Sequence, residues 1–492
     1  MTVLNKDSSS STTCSDSESQ FKRPTVYERI LLIYSRDDDR FINRRNFHDC
    51  EELDLGDMLS FLTSSRKEGN SDRAIKKYEF GNKCIWETER QNQWTGVVTE
   101  DFEETKFESW FIELIINQSR IQFTQAPSIG FEIYTNVIAD KFAHEIKNTI
   151  DGDKWDLVGK SSFKKSVNFF TSKWQTLEAV LPAFPCKSSN FEKVAGTMPD
   201  KGEELALRKL IRFSESIRRV YPPGIIIWIV SDGHVFSDCI AVDDNIVNEY
   251  GRALKELYLR IKPEDSNPVR FCSLPEIFSL ESSNFLEDTL EDVELGHYLP
   301  TIIDDESELC RKILVTACDT DSGKLREDIK TDNHPRLHLF RGFSKFMTED
   351  LANHPKISDI SKKKFKKIVA NVAFEMIKRN DAYSNLVELV FPFHLRFSIH
   401  AHNNAGPKFG IQLLSVQGPN KCQAINSIGD HMAPSTTDLL HIPTPWHNSV
   451  VTIDDNDTYY IIKASKVLSE LKSGRGTGGW DSKRLHYYFF SH

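Results

Sequence analysis

One octapeptide concentrates acid–base side chains, Ser231-Asp232-Gly233-His234-Val235-Phe236-Ser237-Asp238. Carboxyl and imidazole groups exchange protons in enzymes, so Asp232, His234 and Asp238 could act as acid and base or orient a substrate amine. The alternative is a polar turn in which an Asp caps a helix. The residue types alone leave both interpretations open.

Basic side chains occur in two other unusual settings. Lys187 and Lys193 lie in a Pro-, Ser-, Asn- and Gly-rich segment, where they could bind a phosphate or carboxylate as point charges. Arg341 lies between Phe340 and Gly342. A guanidinium can bind an oxyanion through two hydrogen bonds, and an adjacent glycine permits close approach. The simpler interpretations are two surface lysines and a packed turn.

A third set of residues lies towards the C-terminus. His400 and His402 would point to the same face of a strand, and Lys408 and His447 follow them. These histidines could be acid–base groups, core histidines with satisfied hydrogen bonds or, together with His447, metal ligands. No nearby Asp or Glu completes a set of two histidines and one carboxylate. We therefore predict no metal and no cofactor.

The elements that would position these residues can be predicted from hydrophobic pattern. Ile225 to Val230 is an apolar run long enough for one strand buried on both faces. Residues 202–220 before it carry apolar side chains at helical spacing. A helix, a Pro-Pro-Gly turn, a buried strand and a polar loop predict an α/β unit. In an open parallel sheet, ligands bind at the carboxyl edge, where the octapeptide would lie.

We predict an α/β fold with a mostly parallel Rossmann-like sheet flanked by helices, a strand-rich C-terminal portion and inserted elaborations. The Ser-rich residues 1–24 predict a disordered tail, and one catalytic region would span 25–473. Residues 64–105 and 265–309 lack a sustained hydrophobic period and are interpreted as insertions. Residues 474–492 are predicted to be a loose tail.

Composition excludes several classes of function. The 492 residues carry a net charge of −10 and no long basic block, which argues against nucleic-acid binding. Nine cysteines without CxxC spacing argue against a zinc site or a disulfide framework. The polar N-terminus does not resemble a signal peptide, and no apolar run approaches the roughly 20 residues of a membrane helix. We expect a reduced, cytoplasmic protein without membrane insertion.

Four separated blocks, in the expected order, resemble the pyoverdine/dityrosine biosynthesis family, the isocyanide synthases and their fungal spore-wall relatives. The first block is FPxK…PDxGE and the second is SDGHVFSD. The third is RGFxxF followed by Glu-Asp, and the fourth joins SIH…KxGI to TPWH. The blocks occupy Phe184–Leu207, Ser231–Asp238, Arg341–Asp350, Ser398–Ile411 and Thr444–His447.

The resemblance implies an enzyme that condenses an amino acid with ribulose 5-phosphate. The amine attacks the C2 ketone of the sugar, and the remaining sugar carbons are then lost to leave an isocyanide. In the spore-wall branch the amino acid would be L-tyrosine, the product N-formyltyrosine, and a separate haem monooxygenase would couple two units into a dityrosine precursor. The Ser-rich tail and the Phe-, Lys- and Asn-rich composition suit a yeast and favour this branch.

The same resemblance implies roles for individual residues. The acid–base groups would be Asp232, His400 and His447. The substrate-binding groups would be Lys187, Lys193, His234, Asp238, Arg341, Lys408 and Trp446. Many bacterial relatives are expected to carry an arginine at position 234, where this chain has histidine.

Two other functions remain open. The chain could be a non-catalytic pathway protein that binds a tyrosine derivative or scaffolds the oxidase, or an isocyanide synthase for a secondary metabolite. Convergence of five side chains on one cavity would favour the enzyme. These are Lys187, Asp232, Arg341, His400 and Lys408.

Overall fold

The computed structural model describes the chain in separate ranges. They are 30–35, 40–45, 60–61, 64, 75–81, 83–90, 93–100, 105–118 and 132–492, the last without 281–284, 319–321, 353, 358–359, 401, 419, 433–442 and 455–456. The predicted tail at 1–24 lies outside them. Three five-stranded sheets organise the described residues.

The strands and helices are named in chain order. The strands are β1 (Ile30–Ser35), β2 (Arg40–Arg45), β3 (Lys76–Phe80), β4 (Lys83–Arg90), β5 (Gln93–Glu100), β6 (Leu177–Pro182), β7 (Ile225–Val230), β8 (Val269–Cys272), β9 (Leu395–Ser398), β10 (Lys408–Gly410), β11 (Cys422–Ala424), β12 (Ser449–Ile453), β13 (Tyr459–Ile462), β14 (Gly476–Asp481) and β15 (His486–Ser491). The helices are α1 (Lys106–Gln118), α2 (Glu132–Glu145), α3 (Lys160–Thr171), α4 (Lys201–Val220), α5 (Gly233–Phe236), α6 (Asp244–Ile261), α7 (Leu274–Phe278), α8 (Phe285–Thr289), α9 (Asp305–Cys318), α10 (Ser322–Lys330), α11 (Pro335–Leu351), α12 (Lys362–Val390) and α13 (Ala464–Lys472).

The central sheet is parallel, with strand order β10-β9-β6-β7-β8. Its faces are covered by helices, so the strands are rich in apolar residues, as β7 with its sequence IIIWIV illustrates. On one face, aromatic rings of α2 and α3 pack on the sheet. Phe142 stacks on Phe397, and Phe163 lies edge-on to Phe409. On the other face, Phe391, just after α12, packs on Trp228. The predicted α/β class is therefore confirmed.

The segment 64–105, interpreted as an insertion, contains regular strands. It contributes β3, β4 and β5 to an antiparallel sheet of order β2-β1-β5-β4-β3. Trp86 and Val97 are buried in the main core together with Phe107 and Phe111 of α1. Burial of these side chains depends on a helix that follows the strands, so the segment alone shows only a weak pattern.

The segment 265–309, also interpreted as an insertion, contributes to the central sheet. It contains β8, which pairs in parallel with β7 and forms one edge of the central sheet. The short helices α7 and α8 and the start of α9 follow. β8 has four residues, of which Val269 and Cys272 are buried, and a strand this short carries little periodic signal.

The predicted loose tail at 474–492 is folded. β14 and β15 pair antiparallel, and β15 pairs in parallel with β12, in a sheet of order β11-β13-β12-β15-β14. Tyr487 and Phe489 are buried in a small separate core with Val451 and Ile453. The alternation of buried and exposed aromatic residues in β15 is the signal that the sequence interpretation missed. No helix in the described ranges combines the length and apolar character needed to cross a membrane.

Candidate active site

The loops after β6 and β7 meet at the carboxyl edge of the central sheet. The last residues of these strands, Pro182 and Val230, are paired in register. The Ser231 hydroxyl donates a hydrogen bond to the Phe184 carbonyl, at 3.2 Å. A Cβ atom at Gly233 would lie 2.4 Å from the Pro185 carbonyl oxygen, so the loops can approach only with glycine at this position.

Asp232 directly follows β7 and is half-buried, with its Oδ1 atom shielded from solvent. Its Oδ1 atom has no hydrogen-bond partner among the described residues. Burial raises the pKa of Asp232 to about 6. A carboxyl group in this range is populated in both protonation states near neutral pH, which suits a general acid or base.

A thiol and a phenol, both neutral, lie near Asp232. Burial and then the charge of Asp232 raise the pKa of the Cys186 thiol and of the Tyr383 phenol, so both stay protonated. The Tyr383 hydroxyl donates to the Val230 carbonyl at 2.9 Å. The grouping places a titrating carboxyl beside two groups that keep their protons.

His234 is buried in the same octapeptide. Its Nε2 lies 2.8 Å from Oδ1 of Asn248. Its Nδ1 is buried and, within the described ranges, has no hydrogen-bond partner. Buried polar atoms nearly always have a hydrogen-bond partner. At Asp232 Oδ1 and at His234 Nδ1, water or substrate would therefore supply it.

Asp238 is in the opposite situation, because it is surrounded by cations. Its Oδ1 accepts from Nη1 of Arg379 at 2.6 Å, and its Oδ2 lies 2.8 Å from Nδ1 of His297. Burial alone would raise the pKa of Asp238, but Arg379, His297 and Arg311 hold it well below its usual range. This geometry supports a structural role and does not support the predicted contact with substrate.

Two fully buried arginines hold the octapeptide from α9 and α12. Nε of Arg311 donates to the His234 carbonyl at 2.8 Å, and Nη1 of Arg379 donates to the Val235 carbonyl at 3.1 Å. Arg311 also pairs with Asp244 at 2.5 Å. The sequence interpretation missed both arginines. Each arginine is next to a lysine in the sequence, so no local pattern distinguishes it.

Lys187 is enclosed in a buried ionic cluster. Its Nζ lies 2.8 Å from Asp200, 2.9 Å from Glu203 and 2.9 Å from the Pro445 carbonyl. Asp200 and Glu203 form a capping box at the start of α4. An ammonium has three donor hydrogens, and three acceptors surround this one. The PDxGE block is therefore a neutralised helix cap, and Lys187 has no donor left for the predicted sugar phosphate.

The TPWH block packs against the same region. Trp446 is 1% exposed and lies against Phe184, with ring centroids 5.0 Å apart. A Cβ atom at Gly202 would lie 2.8 Å from Cβ of Pro445, so the glycine of PDxGE allows this contact. The predicted contact between Trp446 and the amino-acid ring is not supported, because the indole belongs to the core.

A second polar group joins the third block to the TPWH block. Lys193 forms an ion pair with Asp350, and its Nζ lies 5.0 Å from the centroid of the Phe346 ring. The Phe346 ring lies edge-on to His447 at 5.2 Å. Lys463 donates to the His447 carbonyl at 2.6 Å, and burial followed by the charge of Lys193 lowers its pKa to about 8.

A third polar group lies at the β10 side of the sheet. Lys408 and Arg396 are paired in register on β10 and β9. The Ser384 hydroxyl accepts from both, at 3.0 Å from Lys408 and 2.9 Å from Arg396. Arg396 also pairs with Glu388 at 2.5 Å. Burial and then the charge of Arg396 lower the pKa of Lys408 to about 8.

The remaining predicted site residues are exposed. Arg341 lies on the solvent side of α11, and His400 lies two residues beyond the end of β9. The structure thus distributes the predicted residues over three polar groups, around Asp232 at the carboxyl edge of the sheet, around Lys193, and around Lys408 at the start of β10. In the described part of the chain, no three His, Cys, Asp or Glu side chains are grouped as metal ligands.

Comparisons with known proteins agree with this architecture. A model of the family "Pyoverdine/dityrosine biosynthesis protein" matches residues 167–473. The chain is 42% identical to the spore wall maturation protein DIT1 of Saccharomyces cerevisiae, over 94% of this chain and 90% of that one. It is 30% identical to an L-tyrosine isonitrile synthase of Xenorhabdus nematophila, over 61% of this chain and 75% of the other.

A solved structure shows the same fold. The PvcA protein from Pseudomonas aeruginosa superimposes with a TM-score of 0.56, covering 72% of this chain and 99% of that chain at 24% identity. Relatives thus match most of the chain, and the family model spans all four blocks that the sequence analysis identified. The chain belongs to the pyoverdine/dityrosine biosynthesis protein family, which includes isocyanide synthases and a spore wall maturation protein.

Proposed function

We propose that this chain is an isocyanide synthase that condenses L-tyrosine with ribulose 5-phosphate. Its product would be the isocyanide or N-formyltyrosine, destined for spore-wall dityrosine. The similarity to a spore wall maturation protein and to an L-tyrosine isonitrile synthase supports both the reaction and the amino acid. The observation that carries the proposal is the Oδ1 atom of Asp232, which is buried and without a hydrogen-bond partner among the described residues, at the carboxyl edge of the parallel sheet.

Asp232 would transfer the protons that this condensation requires. Attack of an amine on a ketone and loss of water need a group that first accepts and then donates a proton. With a pKa of about 6, Asp232 can do both near neutral pH. The protonated Tyr383 and Nδ1 of His234 would orient the substrate beside it.

Cations of the two other polar groups would hold the anionic parts of the substrates. Lys193 and Lys463 are neighbouring cations in one group, and Arg396 is the cation beside Lys408 in the other. A phosphate and an amino-acid carboxylate both bind well to such cations. We propose no cofactor and a cytoplasmic location, with the product passed to a separate haem monooxygenase.

The test is mass spectrometry of the full chain incubated with L-tyrosine and ribulose 5-phosphate. We expect a new mass matching the tyrosine isocyanide or N-formyltyrosine. Asp232→Asn should lower its rate of formation by roughly 100- to 10,000-fold. The matched control is Asp140→Asn, which changes a surface carboxylate paired with Lys160 at 2.6 Å and should leave the rate unchanged.

Other outcomes would revise the proposal in defined ways. Product with tryptophan but not with tyrosine would keep the reaction and discard the spore-wall assignment in favour of a secondary metabolite. Absence of product with every amino acid, from protein that melts cooperatively, would favour a non-catalytic pathway protein that binds a tyrosine derivative or scaffolds the oxidase. Equal rates for Asp232→Asn and wild type would remove Asp232 from the mechanism.

A further inference from the structure

Lys408 is a half-buried ammonium without a carboxylate partner. Among the described residues its hydrogen bond goes to the neutral hydroxyl of Ser384, at 3.0 Å. The two carboxylates whose charge reaches it are already paired, Glu388 with Arg396 at 2.5 Å and Asp381 with Arg336 at 2.8 Å. Burying a cation without its own counter-charge is costly, so this arrangement indicates a function rather than a contribution to stability.

The neighbours of Lys408 favour the neutral amine. Arg396 is aligned with it on the adjacent strand, and its positive charge opposes protonation of the amine. With a pKa of about 8, roughly a tenth of Lys408 carries a free lone pair at pH 7. A desolvated lysine beside another cation is a known way to obtain an amine nucleophile that attacks carbonyl carbons.

The charge of Lys408 also acts on an imidazole. Burial and then the charge of Lys408 lower the pKa of His402, so its imidazole is neutral at pH 7. Nε2 of His402 lies 2.9 Å from the Ser398 hydroxyl at the end of β9. The Ser384 hydroxyl bonded to Lys408 and the neutral imidazole of His402 are the groups that could move protons during addition to a carbonyl.

The Lys408 group is also connected to Asp232. Tyr383 precedes Ser384 on α12, and the charges of Asp232 and Arg396 both act on its phenol. The Tyr383 hydroxyl donates to the Val230 carbonyl, two residues before Asp232, and the Ser384 hydroxyl accepts from Lys408. Two consecutive residues of α12 therefore contact the end of β7 and Lys408.

We propose that Lys408 is a catalytic nucleophile that forms an imine with the ketone carbon of the ketose phosphate before the amino acid reacts. This step rests on the proposed function. The Nζ lone pair attacks the carbonyl carbon, the carbonyl oxygen takes up a proton, and the resulting carbinolamine loses water. The substrate amine then adds to the same carbon, and Lys408 leaves with its electron pair and takes up a proton. No oxidant or reductant is consumed.

The competing role for Lys408 is a point charge that holds the phosphate. Lys408→Arg separates the two roles, because a guanidinium keeps the positive charge but cannot form the imine. The imine predicts that Lys408→Arg loses product formation by at least about 100-fold. Retention of a tenth or more of the wild-type rate in Lys408→Arg would overturn the imine.

A direct test traps the imine. The full chain is incubated with ribulose 5-phosphate and cyanoborohydride without amino acid, and its intact mass and peptides are measured. We expect a gain of one ketose phosphate minus one oxygen atom on Lys408. The gain should be absent in Lys408→Arg and Lys408→Ala, and its rate should rise with pH to a half-maximum near pH 8.

Lys209 on α4 provides the matched control. Burial lowers its pKa to about 8 as well, but its ammonium donates to the Leu414 carbonyl at 3.0 Å. Lys209→Arg, checked for an unchanged melting temperature, should still be labelled on Lys408. Labelling of Lys209 and Lys408 to the same extent would overturn the proposal, because it would reflect free amines in general.

The trapping experiment also distinguishes the two proposals from each other. Wild type that makes product but shows no adduct on Lys408 would overturn the imine and leave the synthase standing. An adduct on Lys408 with no product from any amino acid would support the imine and overturn the synthase. Neither adduct nor product would overturn both.

Discussion

Asp232 and Asp238 belong to one octapeptide, and desolvation acts to raise the pKa of both carboxyl groups, yet their surroundings differ. Asp238 is held by Arg379 at 2.6 Å and His297 at 2.8 Å, and its pKa is far below the usual range. Within the described ranges Asp232 has no ion pair with a cation and no hydrogen-bond partner for Oδ1, and its pKa is raised to about 6. Burial is common to both carboxyls, so the presence or absence of a counter-charge decides the direction of the shift.

The comparison separates an anchor from a reactive group within one motif. Residues that share a block with catalytic residues often serve to place them. Asp238, Arg311 and Arg379 fix the backbone of the loop, and this lets Asp232 remain without a counter-charge. The same distinction applies to Lys187, which pairs with the two carboxylates of a helix cap, and Lys408, which has no acid partner among the described residues.

The largest expected effect concerns the anchor. Asp238→Asn should lower the free energy of unfolding by about 3–5 kcal/mol at pH 7, because it leaves Arg379 and Arg311 buried without their shared counter-charge. Urea denaturation followed by circular dichroism measures this change. In wild type, the contribution of Asp238 is present above the unfolded pKa near 4 and is lost as the pH falls towards its lowered folded pKa. A decrease in the free energy of unfolding of less than about 1 kcal/mol would contradict the structural role of Asp238.

An effect of intermediate size concerns Asp232. Its folded pKa is raised, so its contribution to stability is present below the unfolded pKa near 4 and is lost as the pH rises through about 6. Between pH 4 and pH 7, the free energy of unfolding of wild type should therefore fall by roughly 1–3 kcal/mol relative to that of Asp232→Asn. The difference between the two unfolding free energies, measured across this range, isolates the residue. A constant difference at all pH values would show that Asp232 is not desolvated.

The smallest effect concerns His297, which lies between Asp238 and Glu308. Its hydrogen bonds to Asp238 and Glu308 raise its pKa to about 9. The stabilisation is fully present below about pH 6.5 and is lost as the pH rises through 9. His297→Gln should lower the free energy of unfolding by about 1 kcal/mol at pH 6 and by almost nothing at pH 10. The effect is small because solvent partly screens the partly exposed ring. Equal losses at both pH values would mean that His297 is uncharged.

The parallel sheet and the place of Asp232 could be predicted because their signals are local. The apolar run of β7 and the polar loop after it identify a buried strand and the edge where ligands bind. The cap formed by Asp200 and Glu203 also has a local signature, a D-x-x-E spacing before an amphipathic helix. That signature was present in the sequence, but the block was interpreted as part of the site.

The partners of the octapeptide could not be predicted because they are distant in sequence. Arg311 reaches the His234 carbonyl across 77 positions, and Arg379 reaches Asp238 across 141. No spacing rule links such residues, since helix and sheet packing alone brings them together. The enclosure of Lys187 and Trp446 likewise depends on a turn more than 250 positions away from Lys187, where Pro445 accepts its hydrogen bond.

Helix α12 carries Glu375, Arg379 and Tyr383 at intervals of four residues, which places them on one side of the helix. Arg379 binds the octapeptide, and one turn later Tyr383 binds the last carbonyl of β7. Each added residue would rotate the following part of the helix by about 100° and move it about 1.5 Å. A single insertion between these two residues would therefore swing one contact away while keeping the other. The length of this turn is therefore fixed, because it sets the distance between the end of β7 and the loop that follows it.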